Sequence, residues 1–135
     1  MSKSEISDLS RINLTDDKDT IVKKIKKAKT DALPIPSTIE ELEKRPETKN
    51  LVGIFSSLAG LTIENSLNEF SGKNFSHFKE NLSQLLIEKI IPISFEIKKL
   101  LNDHNYLDSI LIDGYKKADK IASKKVEKIH EIIGF

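Results

Sequence analysis

Ser2, Lys3 and Ser4 stand together at the head of the sequence, and their side chains suit phosphate chemistry. A lysine flanked by serines on a loop of small residues presents one compact positive charge and two hydroxyl donors to a phosphate. In nucleotide-dependent activation the pyrophosphate leaving group gains charge in the transition state. A lysine that reaches it only then stabilises that state selectively, which is what separates catalysis from binding. Taken alone, residues 1–4 read more simply as an ordinary exposed chain end.

Lys23, Lys24, Lys26, Lys27 and Lys29 form a second cluster. Read as one polar helix face, their ammonium groups could each neutralise a phosphate of a nucleic-acid backbone. A solvated surface helix would show the same run, with lysine stems covering apolar surface. Lys116, Lys117, Lys120, Lys124, Lys125 and Lys128 repeat this ambiguity near the other end. His77, His104 and His130 lack metal-ligand spacing and read as surface or cap residues, so no metal site is expected. The absence of cysteine excludes disulfides, thiolate zinc sites and a thiol nucleophile. There is no P-loop, G-x-G-x-x-G or G-x-S-x-G pattern.

The elements that must carry these residues are helical. Thr15–Asp16–Asp17 offers N-cap candidates for a helix whose apolar stripe is Ile21, Val22, Ile25 and Ala28. Pro34 and Pro36 stop it. A short turn of helix is expected over Ile39–Lys44, then a stronger helix over Pro46–Ala59, with proline in its first turn and Gly60 past its end. Thr62 caps a helix through Phe70. Ser76 begins a long helix that Pro92 should kink rather than end, because the apolar stripe resumes in phase. Asn102–Asn105 breaks the pattern, and a last helix runs from Tyr106 to about Ile133 with Gly114 as a weak point. No window shows the alternation of a strand. The expected fold is all-α, a helical bundle forming one domain over residues 15–135, preceded by a loop over residues 1–14.

The 135 residues carry 22 Lys+Arg against 21 Asp+Glu, so net charge favours no class of partner. The longest apolar run, Ile90–Ile91–Pro92–Ile93, is far too short for a membrane span, and no secretory signal peptide is present, so no membrane association is expected and the reading is cytoplasmic.

Beyond residues 1–4, the order Ser10–Arg11–Ile12–Asn13–Leu14–Thr15–Asp16–Asp17, then Ile21-x-x-Lys24-Ile25-x-x-Ala28-x-Thr30-Asp31, resembles the bacterial tryptophanyl-tRNA synthetases. The resemblance continues through Arg45–Pro46–Glu47 and Asn50–Leu51–Val52–Gly53–Ile54. It reaches the end of the chain through Tyr106–Leu107–Asp108, Ile110–Leu111 and Ile132–Ile133–Gly134–Phe135. It is to the C-terminal part of these class I enzymes only. Their loop signature is Lys-Met-Ser-Lys-Ser (KMSKS), and Met1, Ser2, Lys3 and Ser4 match its last four positions.

The resemblance implies a catalytic role for Lys3 on the ATP phosphates, with Met1, Ser2, Lys3 and Ser4 as ATP-binding residues on a truncated KMSKS loop over residues 1–14. It implies helices that receive the anticodon arm of tRNA(Trp), for which the lysine face supplies Lys23, Lys24, Lys26 and Lys27 as the candidate tRNA-binding residues. The intact enzyme would use ATP with Mg2+ as its counter-ion and would form a homodimer. Tryptophan and ATP would bind only with the Rossmann domain, which this sequence lacks along with the His-x-Gly-His type motif. The chain by itself is therefore expected to bind no cofactor and to form no tryptophanyl-adenylate. A stand-alone helical module binding RNA or protein, or an inactive remnant, is the alternative. Lys18 departs from the family, which often has proline there. Loss of a Rossmann partner is expected to expose the Ile21–Ala28 stripe and to favour dimers or partial disorder of residues 1–20.

Overall fold

The computed structural model describes residues 7–134, and among them it has six α-helices and no strand. The elements are α1 (Lys18–Lys27), α2 (Ile39–Glu43), α3 (Pro46–Ala59), α4 (Ile63–Phe70), α5 (Phe75–Asn102) and α6 (His104–Ile133), with a single 3-10 turn at Asp8–Ser10 before them. The chain divides into two compact units, one ending at Phe95 and one beginning at Glu96.

In the first unit each helix boundary has a local cause. Asp17 accepts a hydrogen bond from the Thr20 amide at 2.8 Å and so caps α1. At the other end of α1 the Lys79 ammonium donates to the Ala28 carbonyl at 2.7 Å, satisfying a group that the helix leaves open. Thr38 caps α2 through the Glu41 amide, while the Glu41 carboxylate returns to the Ser37 amide at 3.2 Å, a variant of the capping box. Pro46 opens α3, and Gly60 closes it with φ of 68°, a left-handed conformation that favours glycine. Thr62 then caps α4 by accepting from the Asn65 amide at 3.2 Å.

Ile21 and Ile25 of α1, Leu42 of α2, Leu51, Val52 and Phe55 of α3, Leu67 and Phe70 of α4, and Phe78, Leu82 and Leu86 of α5 form the core. Its centre is aromatic. Phe70 meets Phe55 edge-on with centroids 4.9 Å apart, and meets Phe78 edge-on at 5.0 Å. That geometry sets the positive ring edge against the negative ring face. The buried hydroxyls of Ser56 and Ser66 lie 2.7 Å apart, with Ser56 also donating to the Val52 carbonyl, so α3 and α4 cross without an unsatisfied polar group.

The stretch between α1 and α2 is held by its backbone and by one arginine. Ile35 donates to the Lys73 carbonyl and accepts from the Gly72 amide, each at 3.0 Å. Arg45 donates from Nε to Asp31 at 2.8 Å and from Nη1 to the Pro34 carbonyl at 2.7 Å, with its guanidinium 5.7 Å from the Phe75 ring centre. The bidentate pair with Arg45 is the main cause that holds the Asp31 carboxyl below the usual range.

The second unit contains the end of α5 and all of α6. Asp103 alone separates the two helices and caps α6 by accepting from the Tyr106 amide at 3.0 Å. The break is thus narrower than the four polar residues suggest. Gly114 interrupts nothing, and Gly134 ends α6 with φ of 79°. Pro92 likewise lies inside α5 without ending it.

One expectation is overturned. The α1 stripe is not exposed, because Ile21 and Ile25 are 0% and 2% accessible and belong to the core.

Candidate functional site

Met1, Ser2, Lys3 and Ser4 lie outside the described residues, so the site is built from residue 7 onward. Ser7 opens the 3-10 turn, accepting from the Leu9 amide through its hydroxyl and from the Ser10 amide through its carbonyl. The turn aims Asp8 at α1. There the Lys24 ammonium lies 2.7 Å from Asp8 Oδ2 and 2.7 Å from Asp16 Oδ2. Asn13 bridges the two acids: its side-chain amide donates to Asp8 Oδ1 at 2.9 Å, and its backbone N–H donates to Asp16 Oδ2 at 2.9 Å. Arg11 Nε adds a contact to Asp8 at 3.3 Å.

Lys24 is 3% accessible, the least exposed charged residue of the described chain. Burial pulls the Lys24 pKa down, but the hydrogen bonds to Asp16 and Asp8 outweigh it and the net shift is upward. Asp8 is held below its ordinary value, chiefly by the Lys24 hydrogen bond and then by Asn13. Both shifts favour the charged forms of Lys24 and Asp8.

This placement separates Lys24 from the other lysines with which the sequence groups it. Lys23, Lys26 and Lys27 are exposed. Lys24 lies inward, and its ammonium is engaged by two carboxylates. It is not part of a solvated lysine face. The signal is in the spacing: positions 21, 24, 25 and 28 share one helical face, so Lys24 falls within the stripe of Ile21, Ile25 and Ala28. Lys29 pairs with Glu47 at 3.2 Å on the surface.

Two concavities border this region. A groove of about 1250 Å³ is lined by Ile12 and Leu14 of the segment before α1 and by Pro46, Gly53, Ile54 and Leu58 of α3. A cleft of about 530 Å³ lies between α1 and α5, with Lys26, Thr30, Phe75, Lys79 and Ser83 on its walls. Burial lowers the Lys79 pKa there. Among the described residues no group of His, Asp or Glu could hold a metal ion, and no helix is long and apolar enough to cross a membrane.

The family model described as tRNA synthetases class I (W and Y) matches residues 1–91. The chain belongs to that family. Its relatives in this synthetase family include the tryptophan–tRNA ligase of Mesorhizobium japonicum, 49% identical over 134 residues, covering 99% of this chain and 38% of that protein. The tryptophan–tRNA ligase of Brucella melitensis is 47% identical over 135 residues, covering the whole chain and 38% of that protein. That of Rickettsia felis is 46% identical, covering the whole chain and 40% of that protein. The chain thus spans about two fifths of the length of these curated relatives, in their C-terminal part. The family match includes Met1–Ser4 together with Asp8, Asp16 and Lys24, which follow them in the sequence.

Proposed function

We propose that this chain supplies two parts of a tryptophan–tRNA ligase: the end of its nucleotide-handling loop and its helical tRNA-side domain. The observation that carries this reading is similarity along the whole chain, at 46–49% identity, to tryptophan–tRNA ligases from several bacteria. Activation joins the tryptophan carboxylate to the ATP α-phosphate and releases pyrophosphate. Lys3 acts on the leaving pyrophosphate, with Met1, Ser2 and Ser4 completing the ATP-binding turn and Mg2+ as the counter-ion of ATP. The charge of Lys3 counts only where ATP and tryptophan are already in line, and that positioning comes from a nucleotide-binding sheet, of which the described residues contain no strand. The assembled enzyme works as a cytoplasmic homodimer.

The second substrate is tRNA(Trp). Lys23, Lys26 and Lys27 are exposed on one short helix and free of ion pairs to the carboxylates that occupy Lys24 and Lys29. They offer three phosphate contacts, and Lys24 offers none. The test is the salt dependence of tRNA(Trp) binding by the chain. Replacing all three by glutamine is expected to lower the slope of log K against log salt by about 2 to 3. Binding with no salt dependence in the parent chain would overturn the electrostatic reading and point to an apolar surface.

A further inference from the structure

The loop cluster contains a charge whose position the core does not explain. Position 24 lies in the apolar stripe of α1, between Ile21 and Ile25, and a leucine or methionine there would bury the same surface without desolvating an ammonium. What the ammonium adds is two contacts, and both run to the segment before α1. Asp8 and Asp16 are 16 and 8 residues away in sequence, and Asn13 and Arg11, their further partners, belong to the same segment.

We infer that Lys24 is a positioning residue: clamped between Asp8 and Asp16, it ties the segment behind the signature to helix α1 and so limits where Lys3 can deliver its charge. This rests on the function proposed above. Misplacement of a reacting group by about an ångström costs up to about 10²-fold. That effect does not touch tryptophan binding, so the loss falls on kcat.

The test uses two variants, Lys24→Met and Asp8→Asn. The second removes only a half-exposed carboxylate and leaves every core side chain in place. Each is measured in the chain alone by amide hydrogen exchange. Each is also measured in an enzyme completed with the upstream portion of the Mesorhizobium japonicum relative, by tryptophan-dependent ATP–pyrophosphate exchange. Expected are faster amide exchange over residues 7–16 with α3 and α4 unchanged, and a kcat lower by about 10- to 10²-fold with KM for tryptophan unmoved. Asp8→Glu, which keeps a carboxylate, should recover most of the rate. Parent-like kcat in both variants, unchanged protection over residues 7–16, or a loss of protection spread equally through α3 and α4 would each overturn the inference. If the completed parent enzyme shows no exchange activity, the proposed function fails instead, and amide exchange in the chain alone still decides whether Lys24 tethers the segment.

Discussion

Lys3→Ala, in an enzyme completed with the upstream portion of a relative, should lower kcat for tryptophan-dependent ATP–pyrophosphate exchange by about 10²- to 10³-fold. KM for tryptophan should stay within about two-fold, because an interaction made only in the transition state does not report on ground-state binding. Lys3→Arg should recover little. The guanidinium is a planar fork matched to bidentate acceptors, whereas a pyrophosphate developing charge in a tight turn calls for a compact ammonium. Lys26→Ala is the control. Its side chain lies on the exposed side of α1, and exchange, which involves no tRNA, should be unaffected. Parent-like exchange in Lys3→Ala would remove the loop lysine from the account.

Phe78→Ala should destabilise the chain by about 3–5 kcal/mol and lower Tm by roughly 10–18 °C, as measured by thermal and urea unfolding followed by circular dichroism. Phe78 is fully buried and meets Phe70 edge-on at 5.0 Å and Phe55 at 5.8 Å. Truncation therefore removes transfer energy, leaves a cavity, and breaks two ring contacts at once. The ring also joins α5 to α3 and α4, so the cavity opens where three helices meet. Phe95→Ala, by contrast, removes a ring that is 65% exposed, and its cost should be within about 0.5 kcal/mol. Equal losses in the two variants would contradict the placement of the core.

Most of the first unit is legible in the sequence because its boundaries are written in residues with one dominant local role. Thr62 and Asp17 are caps, Pro46 is a first-turn proline, and Gly60 takes a left-handed φ; each does locally what its type favours. The phenylalanines at 55, 70 and 78 fall on apolar stripes and form the core, whereas Phe95, which the same pattern assigns to the core, is 65% exposed. Lys24 is the opposite case. Its residue type argues for solvent and its position for the interior, and residue type is the stronger guide when nothing else is known. Two aspartates from the preceding segment reverse that balance, and a contact between residues 8 and 24 cannot be read from helical periodicity. The same limit applies to the α1 stripe, whose burial depends on α3 and α5 arriving from far along the chain. The Arg45–Asp31 pair, which fixes the stretch after α1, is invisible to periodicity for the same reason.

The most direct test of the central claim is tryptophan-dependent ATP–pyrophosphate exchange, measured on this chain alone and again after it is joined to the upstream portion of the Mesorhizobium japonicum relative. The account predicts no exchange from the chain alone, and exchange that depends on Lys3 once the nucleotide-binding portion is supplied. Exchange by the chain alone, or a completed enzyme indifferent to Lys3, would contradict it.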